Sequence, residues 1–239
     1  MTTPRGTLYL IPVGLSDAPW QSVLPAEVQS QAGALRHFVV ENAKTARAHL
    51  KHLEVSGPLR ELQLQELPEA PTPAALDDLL APIFAGHDLG LMSDAGCPAV
   101  ADPGALLVAR AHHHQIPVRP LVGPSSILLA LMGSGLNGQS FSFHGYLPVG
   151  EQERSKTLRA LEDDSRRHAR TQIFIETPYR NARMLEALLA TCQPGTRLCV
   201  ARDLTSSEEW IHTQSIAAWR KSPSPDLARR PALFLLLAS

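Results

Sequence analysis

Apolar runs of strand length alternate with helical stretches along nearly all 239 residues, and this alternation constrains the fold more than any other feature. Residues 7–11 (TLYLI) form an apolar run ended by Pro12 and Gly14, which reads as a short buried strand. Helical spacing over 25–37 is followed by a strand at 38–40 and a helix over 44–53. Residues 59–67 alternate apolar and polar, as a half-exposed strand does. Thr72 and Pro73 open a helix over 73–84, one as N-cap and one at the first helical position. A strand at 89–92, a helix over 105–114 and a strand at 116–122 complete this half. The second half reads as helix 124–132, strand 141–146, helix 152–161, strand 172–175, helix 181–191, strands 197–201 and 208–212, and a buried strand 232–237. Such alternation predicts an α/β fold with mostly parallel sheets. Gly123, Gly133, Gly135 and Asn137-Gly138 mark a boundary, giving domains over 1–122 and 123–239.

Composition narrows the function classes. With 44% hydrophobic and 19% charged residues the chain supports an ordinary core, not global disorder. A net charge of −1 excludes a general nucleic-acid coat and a polybasic membrane binder, while leaving room for a local basic patch. No run approaches the roughly 18 apolar residues of a membrane span, so no membrane partner is expected. The polar start at residues 1–5 does not read as a signal peptide. Three cysteines without a CxxC pair favour neither a disulfide scaffold nor a cysteine zinc site, and point to a reducing cytoplasm. Consecutive helical positions do not share a face, so His112-His113-His114 reads as a solvated helix end and no metal is expected.

Chemistry concentrates in two loops. Ser93-Asp94-Ala95-Gly96-Cys97-Pro98, continuing to Ala101-Asp102-Pro103-Gly104, follows a buried strand and precedes a helix. Ligands of open α/β sheets sit at the carboxyl ends of strands. Gly96 permits close approach, Asp102 is placed to cap the next helix, and Cys97 reads as a small packing residue. A tight, well-capped loop explains the same residues without any ligand. Gly123-Pro124-Ser125-Ser126 repeats the logic, with amides of Ser125 and Ser126 at a helix start, where anionic groups are welcome. The first loop, Pro12-Val13-Gly14-Leu15-Ser16-Asp17, carries no G-x-G-x-x-G, and no P-loop occurs.

Taken in order, SDAGCPAVADPG, VGPSS, FHGYLP, IETPYR and ARDLT resemble the tetrapyrrole methylase superfamily, and within it the branch that methylates small-subunit ribosomal RNA on ribose 2′-oxygens. The resemblance runs from GTLYLIPVGL to PALFLLL. It implies methyl transfer from S-adenosylmethionine, two α/β domains with the cofactor in the cleft between them, and a homodimer. It places Leu15, Asp94, Ala95, Gly96, Ser125 and Ser126 at the cofactor. In the second domain it adds Thr177, Ala201, Arg202, Pro231 and Ala232, the last two beside adenine.

Three departures fall on the substrate side. The branch's AEDTR segment stands here as Val40-Glu41-Asn42-Ala43-Lys44, its HEHNE-like stretch is not recognisable near 63–68, and Ser206 replaces the lysine of LTK. A sulfonium methyl is already electrophilic, so positioning supplies much of the rate, and a hydroxyl acceptor also gains from a general base. Glu41 is the candidate base and Arg180 the candidate for orienting an anionic substrate through its planar fork. Lys44, Arg47 and Tyr179 are further candidates around the acceptor, and all five also fit solvated surface positions. The acceptor stays open between ribosomal RNA in the small subunit and a small molecule. Tetrapyrrole methylation and a cofactor-binding protein without transfer are the alternatives. His144 reads as a structural strand residue, and Trp210 and Trp219 as packing residues.

Overall fold

The computed structural model describes residues 5–53, 55 and 57–239. The chain divides into two compact units, one ending at Ser125 and one spanning Ser126–Ser239. No helix among the described residues is long and apolar enough to cross a membrane.

The first unit runs β1 (Leu8–Leu10), α1 (Trp20–Val23), α2 (Ala26–Ala34), β2 (His37–Val40), α3 (Ala43–Leu50), β3 (Gln63–Glu66), α4 (Pro73–Phe84), β4 (Leu89–Met92), α5 (Gly104–His113) and β5 (Val118–Pro120). Its five strands lie in the order β3-β2-β4-β1-β5, and every pair is parallel because helices carry each crossover. Alternate side chains enter opposite cores: Phe38 and Val40 join the cluster under α1–α3, whereas Val39 joins Leu80, Ile83 and Leu107 under α4 and α5. A sheet covered on both faces needs apolar central strands, and β4 is buried at all four positions. The edge strand β3 is instead polar, and residues 59–61 ahead of it form a 3-10 turn where the sequence predicts strand. Thr72 Oγ1 accepts from the Ala75 amide at 3.2 Å and Pro73 opens α4, as expected.

The strand order creates a switch point. The chain leaves β2 toward β3 on one side, and leaves the adjacent β4 toward β5 on the other. The two connections diverge and leave a crevice at the carboxyl ends of β2 and β4.

The second unit runs α6 (Ser126–Ser134), β6 (Phe141–Tyr146), α7 (Glu151–His168), β7 (Thr171–Ile175), α8 (Asn181–Thr191), β8 (Arg197–Arg202), β9 (Trp210–Ser215), α9 (Ile216–Trp219) and β10 (Ala232–Leu237). Its sheet order is β6-β7-β10-β8-β9. The α/β class holds here too, but the parallel arrangement does not. Only β6–β7 is parallel; β10 runs antiparallel to β7 and β8, and β9 antiparallel to β8. For β8–β9 the reason is chain length: residues 203–209 join the two strands without a helix, too short a link for a parallel crossover. Strand β10 sits centrally and is buried at all six positions. Trp219 is buried in this core with its ring edge toward Trp210, and its Nε1 donates to the Leu198 carbonyl. His144 is exposed and bonds the Gln172 side chain.

Two helix starts differ from expectation. Helix α6 begins at Ser126, not 124: Gly123 lies against Pro12, where an added Cβ would sit 2.2 Å from its Cγ, and residues 121–125 take no regular structure. The N-cap of α5 is Pro103, although the Asp102 carboxylate still accepts from the Gly104 amide at 2.7 Å.

Candidate active site

The loops that follow β1 and β4 meet at the same end of this sheet, next to the switch point. The Val13 amide donates to the Gly96 carbonyl at 2.9 Å, forming an isolated antiparallel bridge. Gly96 has φ +72°, which favours glycine, and a Cβ there would approach Leu15 Cδ2 to 3.2 Å, so a side chain would press on Leu15. The third loop joins them through the Cys97 thiol, which donates to the Pro124 carbonyl at 3.4 Å. Burial raises the pKa of this thiol, which suits packing and not nucleophilic attack. Leu15, Asp94, Ala95, Gly96 and Ser125 are thus brought to one end of one sheet. Ser126 opens α6 in the second unit.

The β4 loop is held open by carboxylates. Ala99 and Ala101 adopt φ +66° and +61°, conformations that a Cβ disfavours. Both oxygens of Asp102 accept from the Ala99 amide, at 2.9 and 3.0 Å, while one also takes the Gly104 amide. Burial raises the Asp102 pKa, opposed by these amides and by Ser93. Glu41, just past β2, accepts the Asp94 amide on Oε2 at 3.0 Å, and His49 of α3 bonds the Asp94 carbonyl at 3.0 Å. Asp94 and Ala95 themselves are exposed. Glu41 is therefore drawn into the loop through one oxygen and is not a free surface charge.

The altered acidic segment has a structural use. Asn42 is the N-cap of α3, accepting from Lys44 and Thr45 amides, and Glu66 accepts from the Ala43 amide at 2.8 Å. Lys44 and Arg47 are exposed, and Arg47 reaches back to the Ala43 carbonyl at 3.5 Å.

In the second unit, Thr177, Ala201, Arg202, Pro231 and Ala232 collect at one end of the sheet. The Asp203 amide donates to the Pro231 carbonyl, and Ala232 pairs with Arg202 across β8–β10. Arg180 donates Nε and a terminal nitrogen to Glu176 Oε1, at 2.9 and 2.6 Å, and the Thr177 amide takes the same oxygen. Glu176 is 5% exposed, so this pair organises the turn after β7. Arg202 and Arg230 both grip Asp203, at 2.6 and 2.7 Å, and the Arg202 guanidinium lies over the Trp210 ring. Tyr179 is 80% exposed. Sequence reasoning missed Glu176, Asp203 and His49. Glu176 was legible as a Glu-x-x-x-Arg pair (i, i+4) and Asp203 as the neighbour of Arg202 within ARDLT; His49 carries no local signal.

A fold of this kind is shared by known methyltransferases. The model for Tetrapyrrole (Corrin/Porphyrin) Methylases matches residues 7–218. The chain is 31% identical to a ribosomal RNA small subunit methyltransferase I from Xylella fastidiosa, over 99% of its own length and 82% of that protein. It is 30% identical to the protein of that name from Escherichia coli O157:H7, over 91% of its length and 73% of the relative. The crystal structure of the methyltransferase CobJ shares the fold, with a TM-score of 0.63 at 19% identity, covering 98% of this chain and 95% of the other. The chain belongs to the tetrapyrrole methylase family. It is a methyltransferase.

Proposed function

We propose that the chain transfers the methyl group of S-adenosylmethionine to a ribose 2′-oxygen of ribosomal RNA in the small subunit. The observation that carries the donor assignment is the junction of the β1 and β4 loops, where the Val13–Gly96 bridge sits beside the clamped Asp94 backbone. The residues present fit the donor. The Asp94 carboxylate is exposed and takes part in no hydrogen bond among the described residues, so it is available to the ribose hydroxyls of a nucleoside. Leu15 offers apolar surface beside Gly96, and Ala95 follows Asp94 in the same loop. Thr177, Ala201, Arg202, Pro231 and Ala232, with Ser126, belong to the same assignment in the second unit. When bound, the donor supplies an activated sulfonium methyl. This chain's contribution is to orient the acceptor and take its proton. Glu41 keeps Oε1 free of the loop, and this oxygen is the proposed proton acceptor. Arg180 is a positioning residue, holding Glu176 and the Thr177 turn.

The names of the relatives support the RNA acceptor, and a net charge of −1 suits recognition of an assembled subunit over naked RNA. The proposal includes a homodimer in the cytoplasm. The test is transfer of labelled methyl from S-adenosylmethionine to small subunits purified from cells lacking this chain. We expect label in the ribosomal RNA, resistant to alkaline cleavage on its 3′ side. Label only in a small molecule, or donor binding without any labelled acceptor, would overturn the reading.

A further inference from the structure

His49 lies outside every motif discussed so far, yet it touches the donor loop directly. A carbonyl oxygen only accepts, so the His49 ring carries its proton on Nε2 and donates to the Asp94 carbonyl at 3.0 Å. On the other side of the same residue, Glu41 accepts the Asp94 amide at 3.0 Å. One exposed residue thus has both backbone groups held by side chains from other elements. The His49 ring also packs on Trp20, with centroids 5.7 Å apart and planes at 35°. Trp20 is buried and runs beneath the β1 loop, its Nε1 3.6 Å from the position a Cβ would take on Gly14. His52 packs on the same indole at 5.9 Å.

We propose that His49 is a positioning residue for the methyl donor, tying the β4 loop at Asp94 to the β1 loop through Trp20. The proposal rests on the donor assignment made above. Its physical basis is pre-organisation: a loop already fixed in its binding conformation loses less freedom when the ligand arrives, and affinity rises accordingly. His49 touches neither the reacting atoms nor the acceptor, so its loss weakens donor binding while the chemical step at saturation persists.

The test uses the full chain and titrates S-adenosylhomocysteine by calorimetry. His49→Phe keeps a ring against Trp20 but removes the donor, and His49→Gln restores an amide that reaches the carbonyl. We expect His49→Phe to weaken binding roughly tenfold, with His49→Gln closer to the parent. The KM for S-adenosylmethionine should rise with kcat nearly unchanged, and amide exchange in residues 93–101 should accelerate. His49→Met, which fills the space with a flexible apolar chain, repeats the comparison if His49→Phe folds poorly. Gly96→Val separates the two readings by filling the junction itself. Unchanged affinity in Gly96→Val sinks the donor assignment. Lost affinity there, with parental affinity in His49→Phe or His49→Met, sinks the role of His49 alone. A lowered melting temperature with unchanged affinity would likewise make His49 a purely structural residue.

Discussion

Glu41 has two oxygens with different duties. Oε2 accepts the Asp94 amide, and Oε1 is left for the acceptor's proton. A glutamine keeps a carbonyl oxygen for the amide but is no base, so Glu41→Gln separates the two. We expect kcat to fall by about 10²-fold with donor affinity within a factor of a few. Glu41→Ala should lose both, because the Asp94 amide then has no side-chain partner. A kcat for Glu41→Gln close to the parent value would show that Glu41 serves the loop alone. Most of this arrangement was only partly legible in the sequence. Gly96 stood out because a glycine-containing turn after a buried strand is visible as a pattern, whereas Leu15 and Asp94 were implied by the family resemblance. The uses of Glu41, His49 and Asp102 depend on backbone groups 53, 45 and 3 residues away, and only the last is local enough to read. Arg180 was expected at the substrate; a buried carboxylate four residues earlier in the chain takes its fork instead.

At the scale of elements, charge ties α4 to α5. Arg110 Nε donates to Asp77 Oδ1 at 2.7 Å, a second Arg110 nitrogen reaches the other oxygen, and His114 bonds Oδ1 at 2.7 Å. These hydrogen bonds, from Arg110 first and His114 second, hold the Asp77 carboxyl well below the usual range. A carboxyl depressed by folding contributes stability above its unfolded pKa and loses it as the pH falls through the folded value. The gap in urea midpoint between the parent and Asp77→Asn should therefore be full at pH 5 and shrink from about pH 4 downward. A gap that stays constant to about pH 2 would contradict this account of the pair. Elements whose periodicity is carried by apolar residues were read to the residue, as with α4, β4, α8 and β10. Helix α7 was read as ten residues and has eighteen. Its buried stripe is Leu158, Glu162 and Ser165, and two of the three are polar. Glu162 accepts the Gln193 amide at 2.7 Å and bonds the Thr196 hydroxyl, and Ser165 accepts the Ala238 amide, so burial is satisfied by partners remote in sequence. No count of hydrophobic spacing recovers such a face.

At the scale of the molecule, the two units solve the same problem with different connections. Helical crossovers make the first sheet wholly parallel and leave its loops at one end, around a switch point. The second sheet inserts its last strand between β7 and β8, and so places the turns after β7 and β8 beside the start of β10. The class of fold was readable from alternation, whereas strand direction in the second sheet was not, because direction depends on which neighbour β10 chooses. The central claim is that the methyl donor lodges on the first unit's β1 and β4 loops. A crystal structure with S-adenosylhomocysteine tests it most directly. We predict the ribose hydroxyls within hydrogen-bond distance of the Asp94 carboxylate, with the ligand lying against Leu15 and Gly96; density for the ligand anywhere away from these loops would contradict the account.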